Sequence, residues 1–171
     1  MKRALILFCV MLLLTSLASC RAPLPTDPRK SGFCAELCYE TNGINVVCVL
    51  ECEEQLAGEE RDVSICFIFP VELSSVGVLR RNGEFFAVCG DEEIASRCGE
   101  AEALARTALL ITVNGERSFV GRGTSDGEMR LHWTLTDGDK KAELVTDESG
   151  IPISLTQEDS RVKVTRFELT S

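Results

Sequence analysis

Turn signals punctuate this chain at short intervals: Asn42-Gly43, Asn82-Gly83, Asn114-Gly115, Ser125-Asp126-Gly127, Asp137-Gly138 and Ser149-Gly150. Gly, Asn and Asp tolerate the left-handed backbone that tight hairpin turns demand, so the spacing cuts the chain into short runs joined by hairpins. The runs themselves alternate. Met129, Leu131, Trp133 and Leu135 interleave with Arg130, His132, Thr134 and Thr136, the period-two pattern of a strand with one buried and one wet face. Ile151, Ile153 and Leu155 alternate in the same way. Val162 and Val164 then give way to Phe167 and Leu169, a parity change near Arg166 that predicts a bulge. About nine hairpin-linked strands are expected, forming a large antiparallel sheet.

One segment departs from this rhythm. Asp91-Glu92-Glu93 places a capping residue and two acids at a helix start, and Ile94, Cys98, Ala101, Ala105, Ala108 and Leu109 recur at helical spacing. Glu93 with Arg97 and Glu102 with Arg106 are favourable i,i+4 pairs. The spacing predicts a single α-helix around residues 92–112, lying between two halves of the sheet.

Nine cysteines invite a metal or redox reading. Seven fall within the strand-rich region: Cys34, Cys38, Cys48, Cys52, Cys66, Cys89 and Cys98. Along a strand four residues span about 13 Å, beyond the reach of a shared metal or a disulfide, so Cys34 with Cys38 and Cys48 with Cys52 are excluded as pairs. Across strands, register decides. A two-residue turn at Asn42-Gly43 opposes Phe33, Ala35, Leu37 and Tyr39 to Cys52, Leu50, Cys48 and Val46, one wholly apolar face. A three-residue turn would instead oppose Phe33 to Glu53. Hydrophobic matching therefore puts the two cysteine pairs on opposite faces, with no disulfide expected between them and no metal site. The odd count leaves at least one free thiol, and Cys here reads as a small buried hydrophobe.

At the amino end, Met1-Lys2-Arg3 is a short basic region and Ala4 to Leu17 an apolar run, too short and wrongly flanked to be a spanning helix. The run ends in Leu17-Ala18-Ser19-Cys20, which resembles the lipobox of bacterial lipoproteins. The resemblance implies a signal peptide over 1–19, cleavage between Ser19 and Cys20, and a covalent lipid on Cys20: a diacylglycerol thioether and an N-linked acyl chain such as palmitate. It also implies an extracytoplasmic protein held at the cell membrane. Arg21, in place of an Asp retention signal, would permit sorting to an outer membrane in a cell that has one. Residues 20–32, with Pro23, Pro25 and Pro28, read as a spacer. Free and semi-extended, the dozen residues after Cys20 would lift the domain roughly 35 to 40 Å from the lipid. Residues 33–171 make one domain. Without residues 1–19 the chain carries 16 basic and 27 acidic residues, a formal charge of −11, which excludes nucleic acid as an expected partner.

The run Phe69-Pro70-Val71-Glu72-Leu73 leading to Val76-Gly77-Val78 and Asn82-Gly83, a helix, then Gly150-Ile151-Pro152-Ile153-Ser154-Leu155 and a closing Val162 to Phe167 strand resemble the lipoprotein-carrier (LolA/LolB-like) superfamily. Within it the likeness is to uncharacterised lipoproteins of clostridial anaerobes. The resemblance implies a mainly β, α+β fold: an unclosed half-barrel covered by helix, whose concave apolar face can hold an acyl chain or a peptide segment. It transfers no catalytic residue. Leu37, Val46, Leu50, Phe67 and Trp133 are the candidate lining of that face. Phe119 and Met129 are further lining candidates, with ordinary core the preferred assignment for both and for Trp133. His132 is the single histidine and reads as a surface residue without a Cys or Ser partner.

No acid–base or nucleophile pair can be assembled, so no enzyme activity and no cofactor are expected. Two classes of function stay open. One is a binding module for a hydrophobic ligand. The other is an envelope interaction, sensor or accessory protein with a filled core.

Overall fold

The computed structural model describes residues 23–41, 43–54, 61–81, 84–90, 92–95, 116–137, 139–158 and 160–170. Eleven strands follow in chain order: β1 (Phe33–Thr41), β2 (Ile44–Cys52), β3 (Val63–Phe69), β4 (Val76–Arg81), β5 (Glu84–Cys89), β6 (Glu92–Ala95), β7 (Glu116–Ser125), β8 (Glu128–Asp137), β9 (Lys140–Thr146), β10 (Pro152–Gln157) and β11 (Ser160–Leu169). All belong to one sheet in the order β6-β5-β4-β3-β2-β1-β11-β10-β9-β8-β7. Each half is a hairpin meander, and the first and last strands pair antiparallel at the centre. Strands β6 and β7, consecutive among the described elements, stand at opposite edges, so the sheet does not close. Mainly β, antiparallel and open, this is the expected architecture, with two strands more than the turn signals suggested.

The first hairpin has the register that hydrophobic matching predicts, with Phe33 opposite Cys52, Leu37 opposite Cys48 and Tyr39 opposite Val46. Because side chains alternate at every residue, this register commits Phe33, Ala35, Leu37 and Tyr39 to the buried face and the even positions between them to the other. The expected bulge is present too. Glu36 pairs with Arg166 but Leu37 pairs with Val164, leaving Thr165 as the extra residue, which is why Phe167 rejoins Val162 on the apolar side. Further register shifts leave Ile68, Val120 and Ile153 unpaired. Such bulges bend and twist a strand locally. At the β7–β8 hairpin Asp126 and Gly127 both adopt positive φ (54° and 78°), the two-residue turn that Asp-Gly favours.

The core lies on one side of the sheet. Phe33, Ala35, Leu37, Leu50, Val63, Ile65, Leu131, Leu135, Leu144, Leu155 and Val162 are all buried there. By parity they occupy a single face running from β3 to β8.

Two expectations need correction. Residues 92–95 are not a helix start: they form β6, paired with β5 through Phe86–Ala95 and Val88–Glu93. Gly90, at φ 62°, reverses the chain, and the ladder satisfies backbone groups that β5 would otherwise leave open at a sheet edge. The rest of the expected helix lies outside the described residues, as do residues 1–22 with the signal peptide, Ser19 and Cys20. The spacer, secondly, is not free along its length. From Pro25 onward it is a strap packed on the domain, with a 3-10 turn at Pro28–Lys30 capped by Asp27, whose side chain accepts from the Arg29 backbone N–H.

Candidate functional site

The apolar face is organised in rows of cross-strand neighbours. Leu37 opposes Cys48, which opposes Phe67. Val46 and Leu50 flank Cys48 on the same strand and the same face. A second row runs Val46, Tyr39, Val162, Leu155, Leu144, Trp133, each directly opposite the next, from β2 to β8. The five expected lining residues thus share one continuous buried surface: four cluster around Cys48, and Trp133 stands at the far end of the second row. Cys48 is not among the expected lining residues, although its parity in β2 places it at the hub. Burial pushes its thiol pKa up to about 12. Cys52 and Cys34 are raised as well, chiefly by burial.

Trp133 is held from three sides. Its Nε1 donates to Thr146 Oγ1 at 3.0 Å, and that hydroxyl donates to the Asp147 carbonyl at 3.0 Å. Phe119 meets the indole edge to face at 5.2 Å. The Arg117 guanidinium lies over its ring, 4.1 Å from the centroid. Phe119 and Met129 are 40% and 42% exposed, which corrects their assignment to the core. Strand β7 is an edge among the described strands, so no described strand pairs beyond Phe119, while Met129 sits at the mouth of the β7–β8 hairpin.

Arg117 also fastens the strap. Its Nη2 donates to the Pro25 carbonyl at 2.7 Å and its Nε lies 3.3 Å from Asp27 Oδ2. Arg29 binds the same carboxylate through Nε at 2.9 Å and Nη2 at 2.6 Å. Burial alone would raise the Asp27 pKa. The hydrogen bonds from Arg29 and the charges of Arg29 and Arg117 outweigh it and hold the carboxyl below its ordinary value. Arg61 donates to the backbone carbonyls of Arg29 and Ser31, pinning the other end of the strap. At Gly150 (φ 88°) an added Cβ would lie 3.0 Å from the Thr26 oxygen, so only glycine admits so close an approach. Sequence reasoning missed this assembly. The sole local signal is Asp27-Pro28, a cap followed by a residue preset for a turn; nothing near Arg117 or Arg61 announces their partners.

The other face is wetter but not uniformly polar. Two clefts of about 440 Å³ open on it, one lined by Cys34, Glu51, Ser64 and Leu79, the other by Cys66, Gly77, Val88 and Ser75. His132 is on this side with Nδ1 3.0 Å from Glu143 Oε1. The cysteine pairs divide as the register requires: Cys48 and Cys52 are buried in the apolar face, while Cys34 and Cys38 lie on the opposite one. Among the described residues no group of three or more His, Cys, Asp or Glu side chains is placed to hold a metal ion.

These features define an open antiparallel half-barrel with one apolar face and a strap across its end. No protein-family model and no curated protein matches the chain. Solved structures do share the fold. An uncharacterized conserved protein from Thermus thermophilus superposes with a TM-score of 0.54 at 12% identity, covering 84% of this chain and 82% of that one. MucB superposes at 0.53 with 17% identity, covering 84% of this chain and 55% of MucB, so the chain spans about half of MucB's length. A LolA superfamily protein from Nitrosomonas europaea is a further neighbour, at 0.45 and 10% identity, with 83% and 87% covered. For the first two, at such identities, the likeness is one of fold.

Proposed function

We propose that the chain is a lipoprotein anchored through an acylated Cys20 on the extracytoplasmic side of a membrane, and that its domain is a non-catalytic binding module for a hydrophobic ligand such as an acyl chain. The observation that carries the ligand reading is the unbroken apolar row from Val46 to Trp133 on a sheet that never closes on itself. Each residue of the row is 8% exposed or less, so a chain-like ligand would lie along it only by parting what covers the open sheet, with Leu37, Leu50 and Phe67 beside it and an aromatic end wall at Trp133. The lipobox at Leu17–Cys20 supports the anchor. Location at the membrane then follows from acylation, since each buried methylene contributes about 0.8 kcal/mol and two or more chains suffice for stable attachment.

Native mass spectrometry of the full chain, extracted from membranes in mild detergent, tests the ligand reading: a co-purifying lipid held non-covalently is expected. Its absence would favour a second reading, an envelope interaction protein with a filled core. That reading draws on the outer face, where Ile68, Phe69 and Val71 are 49%, 54% and 73% exposed at the end of β3 and just beyond it.

A further inference from the structure

The strap determines how far the domain can stand from its anchor. Residues 25–32 are fastened by Arg117, Asp27, Gly150 and Arg61. Only the five residue steps from Cys20 to Pro25 remain to span the gap. At 3.3–3.6 Å per residue that is at most about 18 Å. A compact domain of this length is roughly 37 Å across. A leash about half as long as the domain is wide cannot let the far end reach the bilayer, so the end where Pro25 docks lies nearer to it.

That end exposes apolar side chains among acids: Asp126 and Glu128 in the β7–β8 hairpin and Glu148 in the β9–β10 turn are exposed there as well. Leu24, next in the chain to Pro25, is 46% exposed, Phe119 40%, Met129 42% and Val120 66%. Arg117 joins Pro25 to β7, Phe119 follows two residues later and touches Trp133, Val120 bulges beside it, and Met129 is on the same face of β8 as Trp133, four residues nearer the β7–β8 hairpin. By strand polarity the beginnings of β1, β8 and β10 and the ends of β7, β9 and β11 gather at the strap, which places Met129 there and Phe119 and Val120 midway along β7, whereas the 3-10 turn at Val71–Leu73 belongs to the opposite end.

Resting on the lipoprotein reading, we propose that the rim carrying Leu24, Phe119, Val120 and Met129 is a second membrane contact, pressed into the lipid interface by the short leash from Cys20. The occupant is the bilayer itself. Apolar side chains at interfacial depth supply area that a freely swinging domain would not bring to the lipid, and the exposed Lys30 is near enough to meet headgroups.

The test uses the full lipidated chain in vesicles of phosphatidylethanolamine and phosphatidylglycerol with brominated acyl chains, which quench nearby indoles. Val120→Trp reports on the rim and Glu72→Trp on the far end; Met129→Trp is a second rim reporter in case Val120→Trp misfolds. Quenching at the rim positions at least threefold greater than at residue 72 is expected, after subtraction of the Trp133 signal. Equal quenching at both ends, or stronger quenching at residue 72, on protein whose intact mass shows the acyl chains, would overturn the proposal. An intact mass lacking those chains would instead overturn the lipoprotein reading, and this inference with it.

Discussion

Trp133 on β8 and Thr146 on β9 are joined by a buried hydrogen bond of 3.0 Å, with the indole 3% and the threonine 0% exposed. Water cannot replace either partner there. Thr146→Val keeps the shape and removes the acceptor, so the indole N–H loses its only described partner. A loss of about 1–3 kcal/mol is expected, read as a lower urea midpoint with unchanged m-value, while Thr146→Ser retains most of the stability. A Thr146→Val protein as stable as the parent would show that the bond does not hold the indole.

The strap depends on an ionised Asp27. The folded carboxyl titrates below its ordinary value of 3.8. The folded state therefore binds fewer protons than the unfolded one between those two values, and stability falls as pH is lowered through that window. At pH 7 Asp27→Asn is expected to cost about 1.5–3 kcal/mol, the range for hydrogen bonds to charged groups, and to speed proteolytic cleavage between residues 25 and 32. Below pH 3 the gap between the two proteins should narrow. A gap constant from pH 7 to pH 2.5 would mean that charge plays no part in fastening the strap.

Thiol reactivity should sort the cysteines by face. Cys66 and Cys89 are exposed, whereas Cys48 is buried with its pKa pushed up to about 12. At pH 8 the Cys48 thiolate fraction is then on the order of one in ten thousand. Anaerobic alkylation of the folded protein, read by peptide mass spectrometry, should modify Cys66 and Cys89 and spare Cys48 and Cys52 until denaturant is added. Rapid native modification of Cys48 would contradict its place in the apolar face.

Neighbouring residues of β2 offer a test of the sheet's two sides. Leu50 is fully buried and Val49, one residue earlier, points the other way. Leu50→Ala is expected to cost about 2–5 kcal/mol, and Val49→Ala no more than about 1 kcal/mol. Chemical denaturation of both variants checks the difference, and similar losses would argue against the register.

What is legible in the sequence follows from the physics of short range. The first hairpin's register can be read because a one-residue slip would carry Phe33 and Ala35 to face Glu53 and Glu51, and period-two patterning makes that slip costly everywhere along the strand. The bulge at Thr165 is visible as a change of parity for the same reason. The helix expected after Asp91 fails at its start because capping and spacing describe only what the segment can do alone, and β5 offers residues 92–95 a ladder of backbone partners instead. Ile153 alternates regularly with its neighbours in sequence, yet it is the residue that a bulge leaves over.

By itself, then, the sequence determined the class of fold, the pairing of β1 with β2, and the face on which Leu37, Val46, Leu50, Phe67 and Trp133 lie. Each of these depends on residues a few positions apart or on a repeating pattern. Only the tertiary structure decided that the proline-rich spacer becomes a strap and that Phe119 and Met129 stay exposed. Asp27 meets Arg117 across ninety positions of chain. No periodicity encodes that meeting. It exists because the central pairing of β1 with β11 sets the amino end beside the β9–β10 turn, within reach of a guanidinium from β7, where one half-buried carboxylate can satisfy two cations.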